Sequence, residues 1–541
     1  MPAGVLTAPP QPSLLREFTE APPVVGMDGN SPLAAMPPGT AVYLYNLVPS
    51  EYGARTREGF TTWAQNLAGG AVKSLVPYTG QVGDFSTSRL FGVTAFGIYD
   101  LTTQGADNPT AVVTFPTQTD PAGFTSYIHH TDPNGVQSLQ VADSLNGWYD
   151  YAPSTSTWTK LTTEVTGLTP GNVAFLCAHK SRIWAIERDS SDAWYLPVGA
   201  KQGAATRFQF GSKFTKGGYL VGLYNWTLDG GAGVDDYLVA VSSAGDVLAY
   251  QGTDPSSAST WNLVGSWFIG KIPAGRRVSI ESGGDLLLLS VFGVNSMQNL
   301  MAGYEPSKIE RNISGKVARF IRNDMLDKKD EPYWEIKLLA EEGVVMINTP
   351  KALNAKNIQY VLNINRLFEQ QGGGWGMWRG VPGVTFEPYN GDAYFGTVDG
   401  KVCRMRGSLD NVDIAGAGGT SVEFSILQRF SGYQEPAKYK QVQFVRPQFV
   451  AQNQVRVSSK IIYDYNLAES PANALTPALV TESQWDISLW DNAVWGGTVS
   501  GSVVQGGAGY GRVAAIALRG EAVARATLVS TDGAYTSWAF M

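Results

Sequence analysis

The stretch GGAGVDDYLVAVSSAGDVLAYQG, residues 230–252, carries two patterns at once. Its first eight residues fit the calcium-binding nonapeptide G-G-x-G-x-D-x-U, with Asp235 in the acidic place and Tyr237 as the large apolar residue. That motif works as a stack of consecutive copies sharing their coordination shell, whereas the acidic loop 229–236 occurs once. The rest of the stretch reads as two short strands joined by a turn, and this hairpin reading is the stronger. The sequence leaves calcium binding by the loop 229–236 open.

The other reactive residue types are sparse. The three histidines are His129, His130 and His179. Adjacent His129 and His130 would point to opposite sides of a strand, and neither has an H-E-x-x-H or His-x-His partner. They precede Asp132-Pro133-Asn134-Gly135, a good turn, and are read as loop residues. Cys177 and Cys403 lie far apart, without metal-ligand spacing or a disulfide framework. The chain has no G-x-S-x-G elbow and no Walker loop, and GGAGYG from Gly506 lacks the G-x-G-x-x-G spacing. A glycosidase needs two carboxylates across a cleft, and 47 acidic residues single out no pair. STDGAYTSW, from Ser530, is a near miss to the S-x-D-x-G-x-T-W blade turn of sialidases. Asn225-Trp226-Thr227 and Asn312-Ile313-Ser314 match a glycosylation acceptor by chance composition. In SQWDISLWDNAVWGG, Trp485, Trp490 and Trp495 recur every five residues, a spacing of neither helix nor strand. They read as anchors packing a sheet edge, or as an aromatic sugar-binding shelf. No catalytic, cofactor-binding or metal-ligating residue is therefore assigned; no cofactor is expected, and the chain is expected not to be an enzyme.

These residues must be carried by many short elements. At 541 residues the chain exceeds one hydrophobic core and calls for two or three domains or one large repeat array. Charged residues are only 16%, which suits a surface largely buried against neighbours. Abundant Gly, Pro and aromatics point to short strands and many turns. A net charge of -7 argues against a basic patch gripping phosphates, so sequence-specific DNA binding is not expected. The N-terminus lacks the pattern of a signal peptide and no run reaches the length of a membrane helix, so assembly in a cytoplasm is expected.

From about 85 to 405 one pattern recurs: a short alternating strand, a Gly, Asn or Asp turn, then a strand carrying an aromatic. RLFGVTAFGIYDLT (from Arg89), LQVADSLNGWYDYA (Leu139), RIWAIERDSSDAWYLPV (Arg182), YLVAVSSAGDVLAYQG (Tyr237), DLLLLSVFGVNSM (Asp285) and DAYFGTVDGKVCRM (Asp392) are copies, with a degenerate one between Gly343 and Asn365. A period of roughly 45 to 60 residues is that of a propeller blade. Each hairpin cannot bury both faces alone, so neighbouring blades stack around an axis. The expected fold class is all-β: a β-propeller over 41–409, a β-sandwich-like module over 410–541, an extended Pro-rich arm over 1–40, and one amphipathic helix inserted near 306–327. In that helix Ile309, Ile313, Val317 and Phe320 form an apolar stripe. Lys308, Arg311, Lys316, Arg319 and Arg322 crowd its other surfaces, as a solvated face or as a basic surface meeting an acidic partner subunit or DNA.

Several stretches, in order, resemble a family of structural proteins of short-tailed bacteriophages: DGNSPLAAMPPGTAVYLYNLVPSEYGARTREGFTTWAQNL, WTLDGGAGVDDYLVAVSSAGDVLAYQGTDPSSASTWNLVG, AYFGTVDGKV and WDISLWDNAVWGG, spanning about residues 28–500. The family is that of the tail nozzle, or tail tube component, of podoviruses. The resemblance implies a β-propeller with added β-modules and a homo-oligomer of six copies in a ring. It implies a channel that retains and then conducts genomic double-stranded DNA without sequence-specific contact. Its partners would be the head–tail adaptor on the portal and nearby tail fibres or spikes, and its place the virion tail. A weakly acidic wall lets a polyanion slide where a basic one would trap it. Two other readings stay open: a tail-associated polysaccharide-degrading enzyme, and a receptor-binding fibre or lectin-like module.

Overall fold

The computed structural model describes residues 15–80, 87–229, 234–307, 312–350, 357–366, 373–451, 455–467, 476–477, 499–502 and 505–538. Strands dominate, and helices are few and short. The chain divides into two compact units, residues 58–420 and residues 1–57 with 421–541. These boundaries differ from the sequence-based ones at 40/41 and 409/410, because residues 40–56 pair with C-terminal strands: Thr40–Tyr45 with Thr420–Gln428, and Ala54–Thr56 with Ala526–Trp538.

Residues 58–420 form seven successive antiparallel sheets. Each is centred on one of the hairpins quoted above, the degenerate copy included. Their first strands are Ser74–Tyr78, Thr125–Thr131, Val173–His179, Leu220–Asp229, Ser279–Ser282, Glu335–Leu339 and Gly383–Tyr389. Neighbouring sheets touch through these strands all the way round, and the seventh returns to the first; only the fourth reaches the fifth through its second strand, Asp285–Ser290. This is a closed, propeller-like arrangement. The hairpin strands are apolar on both faces, as in LVAV (238–241) and LLLL (286–289), because each sheet is covered by a neighbour on either side. Between the sheets lie separate apolar layers. Trp184, Phe210, Leu238, Leu248 and Tyr250 fill one, and Phe91, Phe115, Val141 and Tyr149 fill another.

Turn chemistry follows the Asp and Gly of the repeated pattern. Asp246 opens a strand and accepts from Thr215 Oγ1 (2.7 Å) and the Lys216 N–H (2.7 Å), which fixes the incoming loop. Asp192 likewise accepts from the Gly211 N–H (3.1 Å), and Asp285 from the Gln298 N–H (3.0 Å). Gly245 sits at φ 103°, where a Cβ would stand 2.2 Å from the Gly270 carbonyl oxygen.

The ring is closed by chain from its own beginning. Phe60–Gln65 pairs antiparallel with Val402–Met405 and completes the seventh sheet. Trp63 on this strand is buried; its Nε1 donates to the Leu101 carbonyl beside the first sheet (2.7 Å), and its ring meets Tyr394 edge-on at 5.1 Å. The Arg404 guanidinium stacks over the same ring at 5.2 Å.

The helix is shorter than its apolar spacing predicts: it runs Ala318–Lys328 instead of starting near Pro306. Ile309 and its neighbours 308–311 lie outside the described residues. Asn312 Nδ2 donates to the Phe292 carbonyl (2.9 Å), Asn312 Oδ1 accepts from the Ser314 N–H (2.9 Å), and Ser314 Oγ accepts from the Val294 N–H (2.9 Å). These side chains tie 312–314 to the fifth sheet and compete with helical bonding. The buried stripe is Ala318, Ile321, Met325 and Lys328, so Phe320 is only half-buried.

In the other unit two sheets carry the C-terminal strands. One joins Leu47–Pro49, Ala54–Thr56, Ala526–Trp538, Tyr439–Ala451 and Val499–Ser502, and Arg16–Glu20 pairs with Ala526–Trp538. Of the N-terminal arm, residues 1–14 lie outside the described residues. The other sheet joins Thr40–Tyr45, Thr420–Gln428, Ala514–Ala522 and Val455–Tyr463. The successive strands Ala514–Ala522 and Ala526–Trp538 therefore belong to different sheets; the short link between them crosses over. Phe424 of one sheet meets Phe449 of the other at 5.5 Å. Lys440 is fully buried, with its ammonium donating to the carbonyl oxygens of Lys438 (2.9 Å) and Arg512 (2.7 Å).

Because Trp63 joins the last sheet to the first, Trp63→Ala is expected to destabilise residues 58–420 by about 3–5 kcal/mol. The measurement is chemical unfolding of the full chain; a change under about 1 kcal/mol would mean that closure does not depend on this anchor.

Candidate functional site

Among the described residues, the large cavity of unit 58–420 lies on the axis of the ring. It has a volume of about 640 Å³ and is lined by first strands of all seven sheets, from Leu75 and Thr125 to Glu335 and Glu387. A second cavity of about 520 Å³ shares Phe175, Tyr224, Ser279, Ile280 and Glu281 with it and continues past His129, Cys177 and Asn225.

Arg277 dominates the first cavity. Its Nη1 donates to the Lys73 carbonyl (2.9 Å) and to Thr385 Oγ1 (2.9 Å). Its Nη2 donates to Ser74 Oγ and to the Thr125 carbonyl (3.2 Å), and the guanidinium stands 3.6 Å from the Glu335 carboxylate. Phe124 underlies it at 5.2 Å. Glu335 also accepts from the Phe386 N–H (2.9 Å). Burial pushes the Glu335 carboxyl above the usual range, against the pull of Arg277 and Lys337. Lys337 pairs with Glu387 at 2.6 Å, and Tyr127 Oη donates to the same carboxylate at 2.8 Å. Burial, and then the Glu387 charge, push the Tyr127 phenol well above its ordinary value, so it acts as a donor. Arg276 Nη1 donates to the Leu220 (2.9 Å) and Val221 (2.7 Å) carbonyls, and Tyr224 Oη donates to the Arg276 carbonyl (3.0 Å). These cations and carboxylates are committed to one another and to the backbone.

At the far end His129 and Cys177 face the second cavity. Burial lowers the His129 imidazole below its ordinary value and raises the Cys177 thiol to about 12, so both are neutral near neutral pH. His129 and His130 lie on the strand Thr125–Thr131 rather than in a loop. The turn Asp132–Gly135 follows them as expected, with Asp132 Oδ1 accepting from the Asn134 (2.9 Å) and Val136 (2.8 Å) N–H groups. His130 points away, with Nε2 3.1 Å from the Gly199 carbonyl oxygen. His179 is buried, its Nδ1 2.5 Å from Asn225 Oδ1. The structure thus brings His129 and Cys177 to one cavity, while Cys403 is buried in the seventh sheet. No group of three His, Cys, Asp or Glu side chains that could hold a metal occurs among the described residues. Residues 230–233 of the acidic loop and the Trp485, Trp490 and Trp495 cluster lie outside them. STDGAYTSW falls inside the long strand Ala526–Trp538, not at a turn, so it is not a blade-turn motif. Asn312-Ile313-Ser314 proves to be a buried clasp. Sequence reasoning missed Arg277, Glu335, Lys337 and Glu387, since their convergence depends on ring closure; the only local trace is RR at 276–277 just before a strand.

Replacing Arg277 by Met removes the Glu335 counter-ion and leaves the Lys73 and Thr125 carbonyls without this donor. Destabilisation of about 3–5 kcal/mol is expected, with Arg277→Lys recovering only part, because an ammonium cannot reproduce the planar fork. Urea titration checks this, and equal stability of Lys and Met variants would exclude the fork as the cause.

Burial lowers the His179 imidazole below its ordinary value, outweighing the bond from Asn225. The unfolded chain therefore takes up this proton first on acidification. The stability contributed by neutral His179 is complete above about pH 6.5 and is lost as pH falls through the lower native value. His129 acts in the same sense. The unfolding midpoint should drop between about pH 7 and pH 5, and His179→Gln should drop less; identical pH profiles would refute the assignment.

No protein-family model matches the chain, and no curated protein matches it. Among solved structures it is similar to the computationally designed Ika8 protein, at 9% identity and a TM-score of 0.36, covering 64% of this chain and 99% of that one. It is also similar to the extracellular domain of a protein described as a hybrid two component system, BT3049 from B. thetaiotaomicron, at 12% identity and a TM-score of 0.38, covering 88% of this chain and 63% of that one. A third is BBS1N in complex with ARL6DN, at 12% identity and a TM-score of 0.27, covering 63% of this chain and 80% of that one.

Proposed function

We propose that the chain is a structural component of a short bacteriophage tail, a nozzle or tube ring that retains and then conducts genomic DNA. In this reading residues 58–420 are a seven-bladed β-propeller, closed by the strand Phe60–Gln65. The other unit is a β-sandwich whose consecutive strands cross between its two sheets. Six copies form the ring, seated on the head–tail adaptor with fibres or spikes nearby, in the tail of a virion assembled in the bacterial cytoplasm.

The observation that carries the reading is the ordered series of resemblances over about residues 28–500. The axial cavity agrees with it in one physical respect. Arg277, Glu335, Lys337 and Glu387 are spent on one another and on backbone carbonyls, which ties the sheets together at the axis. A volume of about 640 Å³ is on the scale of a small-molecule pocket, so a duplex cannot pass along this axis. DNA would run through a bore walled by several copies, with each disc as one brick. The net charge of -7 suits a wall along which phosphates slide.

The polysaccharide-degrading alternative needs two carboxylates free to act as acid and as base or nucleophile. Glu335 and Glu387, the paired acids of the cavity, are each held by a cation. No helix among the described residues is long and apolar enough to cross a membrane.

Native mass spectrometry of the purified chain, and its position in imaged virions, test the proposal. A hexamer, or six copies in a ring below the portal, is expected. A trimer at the tip of a fibre, or cleavage of host polysaccharide by the purified chain, would replace this reading.

A further inference from the structure

We propose that the axial cavity of residues 58–420 binds a small organic carboxylate, taken by the open edges of the Arg188 and Arg276 guanidiniums. This inference is independent of any role in a tail.

Both arginines line the cavity of about 640 Å³, and Leu220 brings them to one mouth. Its N–H donates to the carbonyl of Ser190 (2.8 Å), which ends the turn carrying Arg188. Its own carbonyl accepts from Arg276 Nη1 (2.9 Å). The Val221 carbonyl (2.7 Å) takes the same nitrogen, and the Tyr219 ring centre lies 5.8 Å from the Arg276 guanidinium carbon. Arg188 Nη1 donates to the carbonyl of Ser144 (3.3 Å), which lines the cavity too. Each guanidinium is thus fixed through one nitrogen. Among the described residues the Nε and Nη2 groups of both arginines make no hydrogen bond, and neither arginine has an ion pair. These nitrogens are accessible, unlike the buried and unbonded Nε of Arg182 and Arg404. The other cations of the cavity are matched: Arg277 faces Glu335 and Lys337 faces Glu387.

The free edge selects the ligand. Nε–H and Nη2–H point the same way in the guanidinium plane and match the two oxygens of a carboxylate. Bonds from Nη1 to the backbone orient this fork in advance, which lowers the ordering cost of binding. The acids nearby favour a ligand with one negative charge. Asp189 is exposed beside Arg188 and acts on Arg276 through its field alone, and Glu281 is exposed where the second cavity joins. Two arginines against Asp189 leave the mouth net positive. Pro121, Phe124, Tyr224 and Ile280 line the rest of the cavity and suit an apolar body.

Isothermal titration of the full chain with 2-naphthoate tests this, with 2-naphthamide as the uncharged probe of equal shape. Saturable binding of the naphthoate at one site per chain is expected, with none for the amide. Arg188→Gln removes one fork at the loss of a single long backbone bond, and should weaken binding roughly tenfold or more. Should that variant fail to fold, Asp189→Asn serves instead. Asparagine tolerates the φ of 59° at this position, and loss of the opposing charge should tighten binding about twofold or more. No saturable binding, equal binding of the amide, full affinity in folded Arg188→Gln, or no gain in Asp189→Asn would overturn the proposal.

Discussion

Four sheets of the larger unit meet at one half-buried guanidinium on the axis. Arg277 precedes the first strand of the fifth sheet and reaches the first, second, sixth and seventh through Ser74, Thr125, Glu335 and Thr385. Only an arginine offers five donors in a fixed plane, and only a closed ring brings that many acceptors to one point. The third and fourth sheets join the same circuit by side chain to backbone bonds. Ser126 Oγ accepts from the Leu176 N–H at 3.0 Å, and Asn225 Nδ2 donates to the Ala178 carbonyl at 2.9 Å. The apolar layers between sheets supply most of the stability and are non-directional. The polar circuit specifies the order and tilt in which those layers meet, a role for buried charges that the Arg277 variants address directly.

That division explains what could be read from the chain. The seven hairpins were legible because each is a local object: two apolar runs and a turn whose Asp and Gly have fixed duties, as at Asp246 and Gly245. The closing strand was not. FTTWAQ pairs with a partner about 340 residues away, and nothing in its own pattern names that partner. The axial charges were equally hidden. Arg277, Glu335 and Glu387 sit in three separate strands' surroundings, and in sequence each looks like an ordinary surface residue. The helix start was misplaced because Asn312 and Ser314 read as helix-compatible until Phe292 and Val294 are beside them.

The smaller unit shows the same limit. YKQVQFVRPQFVAQNQVRVSSKIIYDY alternates as a hairpin should, and its length suggests neighbouring strands. Tyr439–Ala451 and Val455–Tyr463 nonetheless enter different sheets, since each is claimed by a partner of its own length: Ala526–Trp538 pairs along the whole of the first and Ala514–Ala522 along the second. Alternation sets which face is apolar; it does not set which strand lies alongside. Lys440, near the start of Tyr439–Ala451, is fully buried, and its ammonium satisfies the Lys438 and Arg512 carbonyls.

The axis of the larger unit therefore serves rigidity first. A channel whose cations are mostly spent on bonds holding sheets together has little freedom to rearrange around a reaction. Glu281 lines the same cavity but differs from Glu335 and Glu387: it is exposed, so water can solvate its charge, and no ion pair of it occurs among the described residues.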